Sequence, residues 1–405
     1  MCAFNRRKFL KSALAGATGV VAAPAILKAQ TLHPVNNPKN EIPVIKRKLG
    51  NTGLEIPIVS FGVMRSDSSS LVKAAIDKGI THFDTAHYYQ EGKNEEMLGE
   101  VFKNYDRESL IIATKVLPED HYIDWKYEKL GIESTKAKFV ERFEISLNRL
   151  QMDYVDILYL HAIKSYDDTL FEPMLEALSE LKKQGKCRYV GVSTHSGEHE
   201  VIQAAIDSEV YDVVLTAINF RQRNIDQIKE KIALANEKGI GIVGMKTMAG
   251  SYWDKERKHP INCKAALKWV LQNEHVHTTI PGVVNFSQLD ENLSVMANLE
   301  MTEEEKTSLT PPEGLGAGLY CSGCKQCVSQ CPKRLPIPDI SRAYMYAYGY
   351  KELTKSHQLI NELKYDENAC DDCSICQVNC PQGFNVKEKI ADISRIKQVP
   401  IEMLT

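Results

Sequence analysis

The chain of 405 residues has no excess of charge of either sign: 50 lysines and arginines stand against 53 aspartates and glutamates, a net charge of −3. That balance excludes a polybasic nucleic-acid surface, and no basic tract beyond the N-terminus suggests a membrane surface. No apolar run is long enough to cross a bilayer: Ser12–Ile26 is weakly hydrophobic over about fifteen residues, where roughly twenty are needed. Cysteine is scarce through most of the chain. Cys2 lies at the extreme N-terminus, Cys187 and Cys263 sit in helix-like surroundings and read as buried thiols, and the other eight of the 11 fall near the C-terminus. The cysteine excess therefore belongs to a local module. No glycine-rich phosphate loop follows the first strand-like run, residues 58–62, which argues against a doubly wound nucleotide-binding sheet.

What is present begins with residues 1–30. Asn5-Arg6-Arg7-Lys8-Phe9-Leu10-Lys11 precedes the short apolar run, which closes on Ala23-Pro24-Ala25. A charged start, a short hydrophobic centre and a small-residue cleavage site make a secretory signal. Arg6-Arg7 with Phe9-Leu10-Lys11 resembles a twin-arginine export signal. That resemblance implies a bacterial source and a periplasmic or exported chain that crosses the membrane already folded, keeping no stable span once the signal is removed. Residues 31–43, rich in proline and asparagine, read as a linker.

From residue 44 to about 310, strand-like runs alternate with amphipathic stretches. The strand candidates are 58–62, 81–85, 110–116, 155–161, 189–194, 213–219, 241–246 and 277–283. Several intervening helical patterns end on a glycine suited to a C-cap: Gly79, Gly185 and Gly239. Eight such units over this length predict a closed (β/α)8 TIM barrel. A hairpin around Gly50-Asn51-Thr52-Gly53 precedes it and is expected to cover one end. In such a barrel, chemistry gathers where strands end, and Asp84, Lys115, His161, Ser193, Asn219 and Lys246 each close an apolar run.

Four of these features suit carbonyl reduction. A hydride arriving at a carbonyl carbon leaves negative charge on oxygen, which calls for a proton donor. An unperturbed tyrosine, with a pKa of about 10, is a weak acid for that task; a neighbouring ammonium strengthens it, and a carboxylate holds the ammonium in place. Tyr89, Lys115 and Asp84 supply these parts, and His161 can orient the substrate. FDTAHYY with Asn94-Glu95-Glu96-Met97-Leu98-Gly99, IIATKV, DILYLH and GVST together resemble the aldo-keto reductase superfamily over residues 46–300. The resemblance implies a catalytic tetrad of Asp84, Tyr89, Lys115 and His161 and a nicotinamide cofactor, NAD(P)(H), bound across the strand ends. It also implies cofactor contacts from Ser193, Thr194, Asn219, Lys246, Gly282, Gln288, Glu291 and Asn292. The family's usual Ser-Asn is Ser193-Thr194 here, its glutamine position is Leu215, and Gly282 and Gln288 stand where lysine and arginine are usual. A 2′-phosphate would lose charge-assisted bonds there, so NADPH and NADH stay open as alternatives.

Residues 311–395 carry Cys321, Cys324, Cys327 and Cys331-Pro332, then Cys370, Cys373, Cys376 and Cys380-Pro381. The repeated C-x2-C-x2-C-x3-C-P is the bacterial ferredoxin run, whose fourth cysteine ligates the other cluster. Two [4Fe–4S] clusters are expected, one on Cys321, Cys324, Cys327 and Cys380, the other on Cys370, Cys373, Cys376 and Cys331. Long helical-looking segments between the runs predict a small, mostly helical iron–sulfur domain. Tyr344, Tyr346, Tyr348 and Tyr350 read as a core or docking stripe, with an electron path as the alternative. Trp125 and Trp253 are candidates to frame a ligand. The composite reading is an exported oxidoreductase acting on a small carbonyl or alcohol and exchanging electrons with a carrier protein. The alternatives are an electron-transfer subunit whose barrel binds a partner, and a nucleotide-binding redox sensor.

Overall fold

Lys46–Lys48 (β1) and Glu55–Pro57 (β2) pair antiparallel with Arg47 opposite Ile56. In this computed structural model, residues 43–118, 132–315, 318–363, 365–366, 368–371, 373–374 and 376–404 are described. They all belong to one compact unit, His33–Thr405. The expected signal, nearly all of the linker and Trp125 lie outside the described residues. The hairpin turns through Gly50–Thr52 and a left-handed Gly53, φ 74°. Gly50 is required by close approach, because a Cβ there would stand 2.3 Å from the Gly239 carbonyl oxygen. Leu49, Leu54 and Ile56 are buried against Ile111, Ile157, Val213 and Val243, early residues of four barrel strands. The hairpin therefore plugs the end of the barrel opposite the strand C-termini.

The barrel strands are Phe61–Gly62 (β3), His82–Asp84 (β4), Ile111–Val116 (β5), Val155–Ile163 (β6), Cys187–Thr194 (β7), Val213–Ala217 (β8), Gly241–Met245 (β9) and Thr278–Thr279 (β10). They are parallel and neighbour one another in chain order. Bridges Val59–Thr279 and Gly62–Gly282 bring the last strand back to the first, with Ser60 N–H donating to the Thr279 carbonyl at 2.8 Å. This is the (β/α)8 barrel. The run 277–283 gives only a two-residue strand, because Pro281 removes a ladder donor. Cys187 opens β7 and is not in a helix. Gly79, Gly185 and Gly239 are left-handed, φ 86°, 75° and 79°, the helix stops expected of them.

The C-terminal module is helical: Gln326–Gln330, Ile337–Tyr344, Leu353–Glu362 and Val386–Ser394. A π-helical turn, Met345–Gly349, continues the second helix. The module has no separate core. Its Leu319, Ile340, Met345 and Ile360 pack in one cluster with Ala249, Trp253, Ile261 and Ala265 from the segment after β9. Trp253 is 3 % exposed and meets Phe220 edge-on at 6.0 Å. It wedges barrel to module, and its truncation would cost about 3–5 kcal/mol. The tyrosine stripe splits at helical spacing. Tyr344 lies 4.5 Å from Tyr348, and Tyr346 lies 6.1 Å from Tyr350. The second pair faces the barrel mouth.

Candidate active site

Pairing of β4 with β5 sets Asp84 beside Ala113, two residues before Lys115. The Lys115 Nζ donates to Asp84 Oδ1 and to the Thr85 carbonyl, each at 2.5 Å. Both side chains are buried, Lys115 at 1 % and Asp84 at 2 % exposure. Burial raises the Asp84 carboxyl and lowers the Lys115 ammonium, and each partner opposes the shift in the other.

Tyr89 follows on a tight turn, its N–H donating to the Ala86 carbonyl at 3.0 Å. Gln90 and Glu91 then both take positive φ, 51° and 58°, a strained path for side-chain-bearing residues. The strain turns Tyr89 inward, with Lys115 Nζ 5.0 Å from its ring centre. His161 meets the same ring edge-on at 6.1 Å and stacks on Tyr88 at 5.2 Å. The β6 ladder is irregular just past His161, where Ala162 takes φ 62° and donates its N–H to Ser193 Oγ at 2.9 Å. Burial, then the nearby Lys115 charge, holds the His161 imidazole well below its usual range. The ring is therefore neutral and keeps one N–H to donate. All four tetrad residues thus converge on one rim.

Sequence reasoning missed the supports. His82, fully buried in β4, is pushed down to about 3 by burial and then by Lys115, so it adds no charge beneath the pair. Glu95 accepts from Thr114 Oγ1 at 2.6 Å and lies 3.5 Å from Arg149 Nη1, tying the helix Lys93–Phe102 to β5. A buried glutamate on an amphipathic face was the available signal.

The expected cofactor residues are less uniform. Ser193 is occupied by the bulge. Thr194 Oγ1 donates to the Ser196 carbonyl at 2.8 Å. Asn219 donates to the Lys246 carbonyl at 3.2 Å, accepts from Arg221 N–H at 2.9 Å and hydrogen-bonds Tyr320 of the module. Lys246 closes β9 in the left-handed region, φ 55°, donates to Tyr346 Oη at 3.4 Å, and is pushed down to about 7 by burial and then Arg342. Gln288 lies in the helix Phe286–Ser294 and accepts from Val284 N–H at 3.0 Å. Glu291 and the buried Asn292 follow on that helix.

The module also shapes the cleft. A compartment of about 570 Å³ opens beside His87, Tyr88, Tyr89 and Lys355, within the usual range for small-molecule sites. A second, of about 120 Å³, lies between Asp84, Lys246 and Gly282 under Tyr346 and Tyr350. It falls below the roughly 300 Å³ at which ligand pockets begin. Arg65 fastens the module over it, with Glu352 at 2.9 Å and the Tyr350 carbonyl at 2.8 Å. Tyr346 and Tyr350 of the module thus narrow the rim between Asp84, Lys246 and Gly282.

The cysteines fall into two neighbourhoods. Cys321 feels Cys324 and Cys380, and Cys327 feels Cys321, Cys324 and Cys380; Cys370 feels Cys373, Cys376 and Cys331. Cross-links between the runs support that grouping: Ser322 N–H donates to Gln382 Oε1 at 3.1 Å, and Asn379 N–H to Gln330 Oε1 at 2.7 Å. Burial pushes Cys321 up to about 11 and Cys327 up to about 12, so these thiols stay protonated unless a metal displaces the proton. Among the described residues, no group of three or more His, Cys, Asp or Glu gathers closely enough for a metal ion. The first run abuts the barrel, since a Cβ on Gly323 would lie 3.1 Å from Ser196.

A buried Asp–Lys pair, an inward phenol and a neutral imidazole at the C-terminal rim of a (β/α)8 barrel define an oxidoreductase of the carbonyl-reducing class. The model for the aldo/keto reductase family matches residues 58–265, and that for a 4Fe-4S dicluster domain matches residues 320–385. The chain belongs to the aldo/keto reductase family, a family of NAD(P)-dependent oxidoreductases, and carries a 4Fe–4S domain at its C-terminus. It is 32 % identical to glyoxal reductase of Bacillus subtilis over 274 residues, 64 % of this chain and 89 % of that one. It is 26 % identical to L-galactose dehydrogenase of Arabidopsis thaliana over 307 residues, 66 % of this chain and 93 % of that one. The structure of an aldo-keto reductase from Bacillus halodurans superposes with a TM-score of 0.54 at 25 % identity, covering 67 % of this chain and 99 % of that one.

Proposed function

We propose that this protein interconverts a small carbonyl compound and its alcohol at the Tyr89 rim and exchanges the electrons with an outside carrier protein. The observation that carries the reading is the burial of the Asp84–Lys115 pair against Tyr89, with His161 on the same ring. In the reducing direction the Tyr89 hydroxyl donates its proton to the carbonyl oxygen. Lys115 favours the phenolate left behind, Asp84 keeps that lysine charged and fixed, and His161 donates a hydrogen bond to the same oxygen. A nicotinamide nucleotide, the family's cofactor, supplies the hydride when bound; its ring would enter beside Lys246 and Gly282 with Tyr346 moved aside. Cys321, Cys324, Cys327 and Cys380 would hold one [4Fe–4S] cluster and Cys370, Cys373, Cys376 and Cys331 the other, supplying one-electron transfer. Lys246 lines both the compartment beside Cys321 and the one beside Tyr89, so the first quartet lies on the catalytic side of the module.

The Arg6-Arg7 segment supports export by the twin-arginine route with cofactors already in place. The domain limits we propose are 1–30 for the signal, 31–43 for the linker, 44–310 for the barrel and 311–395 for the iron–sulfur module. The narrowness of the compartment under Tyr346 favours a second reading, an electron-transfer or sensing protein whose barrel does not turn over. Anaerobically purified protein, supplied with NADPH, NADH or dithionite and a panel of small aldehydes, separates the two. Aldehyde consumption is expected; clusters that reduce and reoxidise while every aldehyde persists would favour the second reading.

A further inference from the structure

The helix Leu353–Glu362 of the C-terminal module carries Lys355 into the catalytic cleft. Its ammonium lies 5.1 Å from the Tyr89 ring centre, 5.8 Å from that of Tyr88 and 5.2 Å from that of Tyr346. Among the described residues, it hydrogen-bonds the Met64 thioether at 2.9 Å, a weak acceptor. The carboxylate one turn earlier, Glu352, is committed to Arg65 at 2.9 Å. Lys246 on the other side of Tyr346 hydrogen-bonds that phenol at 3.4 Å. Among the described residues, neither lysine forms an ion pair. Lys115 already has Asp84, and Arg342 has Asp339. The module therefore delivers a partly buried cation, surrounded by aromatic faces and a sulfur, to the catalytic phenol. Aromatic faces attract an ammonium and Glu352 acts on it from a distance, but no carboxylate pairs with it directly among the described residues.

We infer that Lys355 is a substrate-binding residue and that the substrate is a small carbonyl compound carrying an anionic group, a carboxylate or a phosphate, which closes the ion pair this lysine lacks. The inference rests on the carbonyl-oxidoreductase reading of the Tyr89 rim. On it, the barrel's active site is incomplete without the iron–sulfur module, which contributes a side chain to substrate recognition besides its electron carriers. The lysine lines both the larger and the smaller compartment, so an anion held there sits at the junction between the open pocket and the tetrad. Burial lowers the Lys355 ammonium, and an arriving anion favours its charged form. Lys93 and Arg142 line the same pocket, as do Glu91 and Glu362, so these charges balance in number. Glu352 also lines it but is held by Arg65, which leaves Lys355 without a carboxylate partner among the described residues.

The test uses the full chain with reconstituted clusters and matched probes, 4-carboxybenzaldehyde against benzaldehyde, with benzoate binding followed by calorimetry. In Lys355→Met, the ratio of kcat/KM for the carboxylated over the neutral aldehyde should fall on the order of 10- to 100-fold, the worth of one charge-assisted bond. Lys355→Arg should retain most of that ratio, and an unchanged cluster absorbance would show that both variants are folded. Benzoate affinity should fall by the same factor in Lys355→Met and survive in Tyr89→Phe, which removes the reacting phenol only. A ratio that does not move, or two substrates that fall together, would overturn the inference. Should the wild type reduce neither aldehyde, the reaction reading fails, and benzoate decides alone: weakened binding in Lys355→Met supports the anion site, unchanged binding overturns it. Glyceraldehyde against its 3-phosphate, run the same way, distinguishes a phosphate from a carboxylate.

Discussion

Replacing Asp84 with asparagine removes the group that keeps Lys115 charged and leaves the lysine its bond to the Thr85 carbonyl at 2.5 Å. The lysine is 1 % exposed, and burial already lowers it, so without the carboxylate its ammonium is lowered further and is charged in a smaller fraction of molecules. The phenolate then loses a cation that stands 5.0 Å from the ring centre. At that separation and an effective dielectric of about 20, the interaction is worth roughly 3 kcal/mol, on the order of a hundredfold in rate. Breaking a buried pair by removing one partner also costs about 3–5 kcal/mol of stability. The two effects carry opposite pH signs. With its folded pKa further below 10.5, Lys115 holds fewer protons folded than unfolded, so the stability of the variant rises as pH increases from the folded value towards 10.5. Activity moves the other way and recovers as pH falls, because the lysine regains its charge. Thermal melts and kcat/KM for aldehyde reduction between pH 6 and 9 read both trends. An Asp84→Asn enzyme within about threefold of wild type at every pH would refute the electrostatic role given to the pair.

Tyr346→Ala should enlarge the 120 Å³ compartment beside Lys246 and Gly282 and tighten NADPH binding at least tenfold in a fluorescence titration; equal affinity would show that the module does not obstruct the nucleotide. Cys380→Ser should lower iron from about eight to about four atoms per chain by removing the cluster held by the first run. Loss of the signal belonging to the Cys370 quartet instead would contradict the crossed ligand sets. Glu198, 1 % exposed and raised to about 7 by burial, binds more protons folded than unfolded between pH 4.5 and 7. Its contribution is fully present below pH 4.5 and is lost as pH rises through 7, so Glu198→Gln should flatten the fall in melting temperature across that window.

The barrel was legible because eight strand-like runs alternate with helical patterns, several of which stop on a glycine. Asp84, Lys115 and His161 could be placed at strand ends by counting, and Tyr89 by its offset from Asp84. The cysteine runs were legible for the same reason, since their spacing is the chemistry. What could not be read was anything set by docking between distant segments. Nothing around Lys355 marks it as an active-site residue; only the packing of Leu353–Glu362 against the barrel mouth brings it there. The helical character of the segment with four alternate tyrosines could be read, but not that a π-helical turn splits them into two pairs. Ser193 and Asn219 closed apolar runs as expected, but their hydrogen bonds stay within the protein. Trp253 looked like an exposed ring in a polar loop and is instead part of the core that barrel and module share.

The central statement is that the Tyr89 phenol protonates a carbonyl oxygen at this rim. Single-turnover reduction of an aldehyde by the protein with reduced clusters and bound NADPH as hydride donor, wild type against Tyr89→Phe with equal cluster content, tests it most directly. A loss on the order of a thousandfold in the chemical step, with cluster reduction and reoxidation unchanged, is the predicted result. Equal rates of aldehyde loss in the two proteins would contradict it.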